Sequence, residues 1–425
     1  MDNYPYFDMK ESGVVWLPSI PKHWDMMKIS HMALLKSGES ITSVEMDTSG
    51  DYLVYGGNGI RGRFHEFTHE GDYVLIGRQG ALCGNINYAS GKFWASEHAI
   101  VVNPDRKVNT FWLGETLRVM NLGSLSTAAA QPGISVEVVN QQKLPFPPIE
   151  EQNKIASFIK WKSEKLNKLI EKKRAIIDRL KEKRLSIITQ AVIKGIDGSV
   201  PTKDSKIDWL GEVPRHWDIR RLRFVVNTNP VKSEVKNKAS DTLVSFVPMD
   251  SVGEYGGIRL DTVKELGKVY DGYTYLAEDD VVVAKITPCF ENGKGALVSG
   301  LVNGIGFGTT ELHVLRAQAD YSNRWLFYLT ASYPFRQIGE SEMYGAGGQK
   351  RVPESFIKNF RLGIPSFDEQ EKIADFIDGK LEHVDRMLEL NEIAITRLEE
   401  YRLTLIEATV TGQIDVRDID IPEGY

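Results

Sequence analysis

The sequence predicts an α+β protein: two mixed α/β domains separated by two long antiparallel coiled-coil helices, in a pseudo-two-fold tandem repeat. Three observations support this prediction. A Trp–His box occurs twice, a Glu–Gln box occurs twice, and each Glu–Gln box begins a long stretch whose apolar residues follow a heptad period. The chain has 425 residues, enough for two domains with connecting elements.

Composition places the chain among soluble globular proteins. Hydrophobic residues make up 42% and charged residues 26%, a usual balance, and no apolar run reaches the roughly 18 residues of a membrane helix. The N-terminus lacks a basic region followed by an apolar stretch, so we expect a cytoplasmic protein. The two cysteines, Cys83 and Cys289, give neither a disulfide framework nor a four-cysteine metal site.

The Trp–His box repeats with a constant offset of 193 residues. Residues 10–25 align with residues 203–218. Each copy contains Trp-Leu followed by Pro-x-His-Trp-Asp, which occupies residues 21–25 in the first copy and 214–218 in the second. Because the box has the same form beside both domains, we expect it to pack at a domain edge rather than to hold a cofactor.

The Glu–Gln box repeats with a different offset, 218 residues, which aligns residues 151–159 with residues 369–377. The second intervening segment is therefore 25 residues longer than the first. Between the boxes the two segments show no alignment, so the frame is duplicated and its contents have diverged. In order, the boundaries predict a first domain, a first helix, a second domain, a second helix and a C-terminal tail: 1–148, 149–195, 196–366, 367–415 and 416–425.

Each long stretch has the apolar period of a coiled coil. Spacings of four and three residues alternate, and polar residues fall at matching positions, Lys173 with Asn391 and Arg184 with Arg402. Polar residues weaken such a seam but can fix its register. The apolar seam residues are Leu166, Ile170, Ile177, Leu180 and Ile187 in the first helix and Val384, Leu388, Ile395, Leu398 and Leu405 in the second.

Terminal signals mark the ends of these helices. Ser366 and Glu369 form a capping box at the start of the second helix. Gly195 and Gly412 are natural stops, because glycine readily adopts the left-handed conformation that ends a helix.

The two helices differ in charge. Residues 150–194 hold 13 Lys or Arg against 6 Asp or Glu, whereas residues 369–413 hold 5 against 11. One interpretation is two solvated faces, and the other is that the helices pair with each other. The first helix leads from one domain to the next and the second leads back, so the pair would be antiparallel. Each helix would span about 66 Å at roughly 1.5 Å per residue.

The segments between the boxes have the composition of mixed α/β domains with much strand. Residues 73–76 and 281–284 are short apolar runs preceded by the acidic turns 70–72 and 278–280. Both runs are followed by a basic or polar residue and then by Gly or Pro turns. We expect each run to form a buried strand.

Three motifs resemble catalytic signatures without their structural context. Residues 65–69 spell His-Glu-x-x-His, but Gly62 and Gly71 leave room for barely two helical turns, so we expect a strand or turn. Residues 57–62 fit Gly-x-Gly-x-x-Gly, but no long helix follows. Residues 345–350 lack the Ser or Thr that follows Lys in a phosphate loop. A zinc protease using His65 and His69 remains an alternative that measuring bound zinc would test.

Signatures of DNA modification and cleavage are also missing from the sequence. Residues 146–149, Phe-Pro-Pro-Ile, lack the polar first residue of the motif that positions an adenine amino group. We find no Asp…Glu-x-Lys nuclease site and no phosphate-binding loop of an ATPase. We therefore expect a chain without catalytic activity of its own.

The tandem arrangement resembles the specificity subunit of type I restriction-modification systems along essentially the whole chain. The Trp–His box and the Glu-Gln-x-x-Ile-Ala-x-Phe-Ile box, in tandem, are highly specific for that family. Residues 77–80 (Gly-Arg-Gln-Gly), 84–87 (Gly-Asn-Ile-Asn) and 92–96 (Lys-Phe-Trp-Ala-Ser) resemble one class of its target-recognition domains, and residues 284–295 resemble another.

The resemblance implies two target-recognition domains that each read one part of a split DNA site. It implies that the helices set the spacing and dock modification (methyltransferase) subunits, of which we expect two. These partners would bind S-adenosylmethionine and methylate adenine, and restriction subunits with an ATP-driven motor and nuclease would join them with ATP and Mg²⁺. The chain itself would bind double-stranded DNA and hold no cofactor or metal. Because the two intervening segments differ, the split site should be asymmetric.

Basic and amide side chains beside turn glycines suit base edges and phosphates. We select them as candidate DNA contacts, although a surface residue without a DNA contact is nearly as good an interpretation of each one. The candidates are Arg61, Arg63, Arg78, Gln79, Lys92 and Gln131 in the first domain and Lys285, Thr287, Lys294, Gln349, Lys350 and Arg351 in the second.

A scaffold of two adaptor domains on a coiled coil is the alternative from another class of function. The net charge of −6 favours it slightly, because phosphate contacts require Lys and Arg. A local stripe can still be basic when the whole chain is acidic. Salt-sensitive binding to duplex DNA would separate the two hypotheses.

Overall fold

A computed structural model of the chain describes residues 5–126, 132–346 and 348–425. The chain divides into two compact units, one formed by residues 1–173 with 393–425 and the other by residues 174–392. Each unit therefore contains a sheet-rich domain and half of each long helix. None of the helices in the described ranges is long and apolar enough to cross a membrane.

The first domain consists of short strands, two short helices and the start of the first long helix. Its strands are β1 (Met9–Val14), β2 (Leu17–Pro21), β3 (Asp25–Lys28), β4 (Ala33–Ser37), β5 (Tyr52–Gly56), β6 (Gly59–Phe64), β7 (His69–Glu70), β8 (Tyr73–Gly77), β9 (Ile86–Ala89), β10 (Lys92–Ala95), β11 (Ala99–Pro104) and β12 (Lys143–Phe146). Its helices are α1 (Thr110–Val119), α2 (Val136–Asn140) and α3 (Ile149–Lys194), the first long helix.

Two four-stranded sheets form the body of this domain, with strand orders β6-β5-β10-β7 and β4-β11-β8-β9. The central strands are apolar on both faces, as expected for strands covered on both sides. Leu75 packs with Phe93 of the neighbouring sheet. Val74 and Ile76 point the other way, into a core that contains Trp112 of α1. The predicted strand at residues 73–76 is therefore the buried centre of the domain.

The second domain has a matching set of elements. Its strands are β13 (Thr202–Asp204), β14 (Glu212–Pro214), β15 (Asp218–Arg221), β16 (Val226–Thr228), β17 (Leu243–Val247), β18 (Val263–Glu265), β19 (Thr274–Ala277), β20 (Val281–Ala284), β21 (Gly295–Leu297), β22 (Ile305–Gly308), β23 (Leu312–Ala317) and β24 (Arg361–Ile364). Its helices are α4 (Leu266–Val269), α5 (Asn323–Ala331), α6 (Tyr333–Ser341), α7 (Glu354–Asn359) and α8 (Phe367–Val410), the second long helix.

The two domains share one topology although their sequences do not align between the boxes. The second domain has strand orders β18-β17-β22-β19 and β16-β23-β20-β21, which repeat the first domain strand for strand. Directions also agree, since β5 with β10 and β17 with β22 are the parallel neighbours within otherwise antiparallel sheets. The duplication thus extends through the segments that appeared unrelated in sequence. The sequence did not reveal this common topology, because many different sets of apolar side chains can fill the same buried strand positions.

The repeated boxes contact each other within each unit. His23 Nε2 lies 2.9 Å from Glu151 Oε2, and His216 Nε2 lies 2.8 Å from Glu369 Oε2. Trp217 also donates to Glu369, so this carboxylate does not complete the predicted capping box. Ser366 does accept a 3.4 Å hydrogen bond from the Glu369 backbone N–H. The Trp–His box therefore packs at the domain edge, against the beginning of a long helix.

A buried glutamine in each Glu–Gln box joins three elements. Gln152 accepts from the backbone N–H of Asn109 at 3.0 Å and donates to the carbonyl of Pro147 at 2.8 Å. Gln370 makes the same two bonds in the second unit, with Ser322 at 2.8 Å and Pro365 at 2.9 Å. Each glutamine thereby fixes the start of a long helix against the helix that follows the central sheet.

The long helices run antiparallel in both units. In the second unit Arg184 on α3 pairs with Asp385 on α8 at 3.0 Å, while Gly195, at the end of α3, lies beside Glu369, near the start of α8. In the first unit Arg402 donates to Asn167 at 2.5 Å. All ten apolar seam residues named above are buried or half-buried. The helices end before Gly195 and Gly412, whose φ angles of +76° and +73° favour glycine.

The C-terminal tail belongs to the first unit. Val416 is fully buried in the first core, and Ile414, Ile419 and Ile421 pack against it. Arg417 stacks over the ring of Tyr6 at 5.0 Å. The tail that was predicted to begin after residue 415 is therefore an integral part of this unit.

Candidate nucleic-acid interface

Arg78 follows the central strand β8 and is fixed by backbone hydrogen bonds on both sides. Its N–H donates to the carbonyl of His98 at 2.8 Å, and its carbonyl accepts from Ile134 at 2.9 Å. The side chain is half-buried and reaches Ser37 at 3.3 Å. A cation is therefore held at a defined place at the end of β8.

Lys285 has the same position in the second domain, after the corresponding strand β20. Its N–H donates to the carbonyl of Glu311 at 2.9 Å, and its carbonyl accepts from Val352 at 2.8 Å. His98 directly precedes β11 and Glu311 directly precedes β23, so the partners correspond as well. The topology thus assigns Arg78 and Lys285, which were chosen separately as candidates, to one structural position.

Polar side chains surround Arg78 at the same end of the first domain. Gln79 is exposed and lies 3.1 Å from the His98 ring through its Oε1 atom. Asn85 donates to Asn58 at 3.1 Å, which joins the β8–β9 and β5–β6 loops. Gly57 lies close to the backbone of His98, since a Cβ on Gly57 would be 3.1 Å from the His98 carbonyl oxygen. Amides and a guanidinium therefore share one loop cluster.

The corresponding cluster in the second domain contains more charge. Thr287 donates its N–H to the carbonyl of Lys350 at 3.0 Å. Arg351 makes a bidentate ion pair with Glu311, at 2.9 Å and 2.8 Å. These hydrogen bonds hold the pKa of the Glu311 carboxyl below its ordinary value. The pair occupies the guanidinium of Arg351, which leaves Lys285 and the exposed Lys350 as cations next to it.

Lys294 and Gln349 complete the second-domain candidates. Lys294 is half-buried, and its ammonium group donates to the carbonyl of Met249 at 3.1 Å. Gln349 is exposed, next to Lys350, and its backbone N–H donates to Ala346. The second-domain candidates therefore come from two segments, residues 285–294 and 349–351, that the bond between Thr287 and Lys350 brings together.

The remaining first-domain candidates are more scattered. Arg61 is exposed on the β5–β6 hairpin, beside Gly56. Arg63 lies further along β6 and donates to the carbonyls of Gly50 and Asp51 at 2.6 Å and 3.0 Å. Lys92 begins β10, and because β10 runs parallel to β5, Lys92 lies at the opposite end of that sheet from Gly56. Gln131 lies outside the described residues.

Two of the motifs that resemble catalytic signatures, residues 57–62 and 65–69, are parts of strands and turns, and the third, residues 345–350, includes Gly347, which lies outside the described residues. His69 belongs to β7 and stacks on Phe93, while His65 follows β6 and lies 3.9 Å from Asp47. The glycines of residues 57–62 form the β5–β6 hairpin. Within the described ranges no group of three or more His, Cys, Asp or Glu side chains is placed to hold a metal ion.

Several polar residues of these clusters escaped the sequence analysis. Asn58, Asn85 and His98 lie beside Arg78 and Gln79, and Glu311 is the partner of Arg351. The Gly-Asn pairs at residues 57–58 and 84–85 were a usable signal, since such pairs mark tight turns. His98 and Glu311 had none, because their role depends on which strands are neighbours.

The clusters offer hydrogen-bond donors and acceptors. Arginine and lysine can donate to guanine edges or phosphates, glutamine and asparagine can pair with adenine, and glutamate can accept from cytosine. Such groups suit recognition of base edges better than bond cleavage.

The sequence matches one family model over most of its length. The match is to "Type I restriction modification DNA specificity domain" and covers residues 21–179 and 214–400. The two matched segments each contain most of one domain and part of the long helix that follows it.

Individual relatives carry the same description. The chain is 39% identical over 211 residues to the type I restriction enzyme EcoAI specificity subunit of Escherichia coli, covering 49% of this chain and 35% of that protein. It thus spans about a third of that relative's length. It is 21% identical to the MjaVIII specificity subunit of Methanocaldococcus jannaschii, over 94% of this chain and 95% of that one.

A solved structure has the same fold. The chain matches it with a TM-score of 0.60 and 13% identity, over 93% of this chain and 99% of that one. That structure is described as the "structural basis underlying complex assembly and conformational transition of the type I R-M system". At this identity the likeness concerns the fold.

Proposed function

The chain belongs to the family of type I restriction-modification DNA specificity proteins, and on this basis we propose that it is a sequence-specific DNA-binding subunit. Each domain reads one half of a split, asymmetric DNA site. The subunit supplies recognition to a complex whose other members perform methylation and cleavage.

The correspondence of Arg78 and Lys285 is the observation that supports this proposal most directly. One topology presents a basic residue, held by its backbone, at the same place in both domains, surrounded by different neighbours. Two domains with the same topology can bind DNA in the same orientation, and their different polar side chains can then read different bases. Dissimilar neighbours then give two dissimilar half-sites.

The long helices are proposed to set the distance between the half-sites and to dock the modification subunits. Their seam residues are buried or half-buried, but other apolar residues stay exposed: Leu169 and Ile176 on α3 and Met387 and Leu390 on α8, 37–55% exposed. The members of each pair are seven and three residues apart, so they lie on one face of their helix, and adjoining exposed apolar residues are typical of a surface that a partner covers. Two such helices offer a place for two modification subunits.

The partners are proposed to supply all of the chemistry. S-adenosylmethionine, ATP and Mg²⁺ would be bound by the modification and restriction subunits, and the assembly would work in the cytoplasm. A rigorously pure preparation of this chain should therefore neither methylate nor cleave DNA when these cofactors are added. Turnover that His65→Ala or Glu66→Ala abolishes, together with bound zinc, would contradict this expectation.

Binding-site selection from random duplex DNA tests the proposal. The full-length chain should enrich one motif with two specified parts and an unspecified spacer. Affinity for that motif should fall steeply with salt, by about three orders of magnitude between roughly 50 and 200 mM for about six phosphate contacts.

The scaffold hypothesis predicts the opposite result. Two adaptor domains on a coiled coil would enrich no motif, and their weak retention of DNA would not depend on sequence. That outcome would contradict the proposed function.

A further inference from the structure

A buried arginine contacts the loop between β20 and β21, which carries the candidate DNA contacts Lys285, Thr287 and Lys294. Arg336, on α6, is 6% exposed. Its guanidinium donates to the carbonyl of Thr330 at 2.7 Å and to the carbonyl of Phe290 at 3.0 Å. It also reaches the carbonyls of Gly293 and Lys294 at 3.4 Å.

The dipoles of backbone carbonyl groups stabilise this cation. The described residues place no carboxylate in an ion pair with Arg336, and its guanidinium lies 4.8 Å from the centre of the Phe290 ring. A buried charge is tolerated only when it is fully hydrogen-bonded. Burial lowers the pKa of Arg336 to about 10, which leaves the group charged at neutral pH. The arginine and the loop therefore depend on each other.

The loop itself, residues 285–294, consists of successive turns between β20 and β21. The N–H of Phe290 donates to Ile286, and that of Lys294 to Cys289, both at 3.0 Å. Gly293 has a φ of +78°, and a Cβ there would collide with the ring of Tyr255. The carbonyls at the end of this turn point at the guanidinium, a placement that favours a cation. Arg336 and Tyr255 thus both contact the loop at Gly293.

Among the described residues of the first domain, no arginine side chain donates a hydrogen bond to the carbonyls of the corresponding loop. Cys83 is five residues after Arg78, as Phe290 is after Lys285, and its carbonyl faces Gly123, where a Cβ would lie at 2.6 Å. The loop is held by backbone bonds, from Gly84 to Gly77 and from Gly77 to Asn85, both at 2.8 Å. The two domains therefore stabilise equivalent loops by different means, which gives an internal control.

We propose that Arg336 is a positioning residue for DNA recognition by the second domain: it fixes residues 285–294 so that Lys285, Thr287 and Lys294 can read one half-site. This inference rests on the proposed function and adds a residue that does not touch DNA. Loss of the guanidinium would release the loop carbonyls and let the turn move, while the first domain would be unaffected.

The test compares Arg336→Met and Arg336→Lys with the unaltered full-length chain in binding-site selection. Single-base changes in each half of the selected site then measure discrimination separately for the two halves. Arg336→Met should reduce discrimination in the second half-site by about tenfold, equivalent to about 1.4 kcal/mol, and leave the first half-site unchanged. Arg336→Lys, which keeps the charge but has fewer donor directions, should lie between. Amide hydrogen exchange should rise in residues 285–294.

A matched control is Arg316→Lys in the same domain. Arg316 pairs with the buried Asp280 at 2.6 Å and lies outside the loop. This variant should lower the thermal stability of the chain without changing discrimination in either half-site. It separates the loss of loop geometry from a general loss of stability.

The possible outcomes distinguish the two proposals. An unaltered chain that selects no split site would overturn the proposed function and, with it, this inference. A folded Arg336→Met variant with unchanged discrimination in the second half-site would overturn the inference alone, as would equal losses in both half-sites or a matching loss in Arg316→Lys. If Arg336→Met does not fold, Arg336→Lys decides: unchanged discrimination and exchange would overturn the inference.

Discussion

At the scale of single residues, Arg78 and Lys285 are two chemical solutions for one position. Arginine presents a planar fork that can bond guanine at two atoms, whereas lysine presents a point charge on a flexible stem. The backbone that holds them is the same in both domains. A difference in what they read would therefore come from the side chains and their neighbours.

Removing either cation should weaken the contact that its own domain makes with DNA. Arg78→Ala should cost about 1–3 kcal/mol of binding and relax specificity at one base pair if the contact is to a base edge. If Lys285 instead contacts a phosphate, Lys285→Ala should weaken binding to all DNA sequences alike. The slope of log affinity against log salt concentration should then become shallower by about 1. Binding titrations with each half-site altered in turn measure both effects.

Two surface variants serve as controls for these substitutions. Arg106→Ala and Lys268→Ala each remove an exposed side chain, one from each domain. They should leave specificity unchanged. Equal effects of Arg78→Ala on both half-sites would contradict the assignment of one domain to one half.

The buried glutamines should contribute to stability. Gln370→Leu leaves the N–H of Ser322 and the carbonyl of Pro365 without their partner, and each unsatisfied buried group costs about 1–3 kcal/mol. We expect a loss of about 2–4 kcal/mol in the free energy of unfolding. Gln190→Leu makes the same change at an exposed position of α3 and should have little effect. Similar denaturation midpoints for the two variants would contradict the role of Gln370.

Residue-scale predictions from the sequence were limited by contacts between distant segments. The repeat of His23 and Glu151 was visible, but their pairing across 128 positions was not. Arg336 gave no signal at all, because its bonds go to backbone carbonyls, which have no signature in a sequence. Arg63 and Lys92 fitted the composition of a DNA contact, but strand order puts them away from Arg78.

At the scale of elements, the two long helices carry matching polar pairs. Arg184 with Asp385 and Arg402 with Asn167 lie at positions related by the same offset of 218 residues. One pair is ionic and the other is not. Polar pairs at fixed places favour one register of the seam over alternatives. The heptad pattern predicted this seam because side chains repeat along a helix whatever the rest of the fold does.

Shortening both helices by one heptad should shorten the DNA spacer. Deleting residues 177–183 and 386–392 keeps the packing face, since the seam repeats every seven residues. Each helix loses about 10.5 Å, which corresponds to about three base pairs along the duplex. Both half-site sequences should persist, because the recognition loops are untouched. Binding-site selection with random spacer lengths measures the change.

The twist of DNA adds a second expectation for this variant. Three base pairs rotate one half-site by roughly 100° about the duplex axis. Affinity should therefore fall unless the protein or the DNA adjusts. An unchanged spacer with full affinity would show that the helices do not set the distance.

At the scale of the whole molecule, the fold was largely predictable because it is built twice. Two boxes with constant offsets defined the domains and helices, and the strand runs at 73–76 and 281–284 lie at the centre of the two domains. The common topology was not predictable from the sequence. Leu75 in β8 and Val282 in β20 occupy corresponding buried positions, but the sequences around them do not align. The sites were predicted less well than the fold, because loops depend on contacts between distant segments.

Exchanging one domain tests whether each domain reads one half of a split site. Residues 26–143 are replaced by the equivalent segment of another family member, and the original and exchanged chains are each expressed with a modification subunit in a host whose methylated bases are then sequenced. For the original chain we expect one methylated two-part motif. For the exchanged chain we expect a motif in which one part changes while the other part and the spacer stay the same. Changes in both parts, or a continuous motif for either chain, would contradict it.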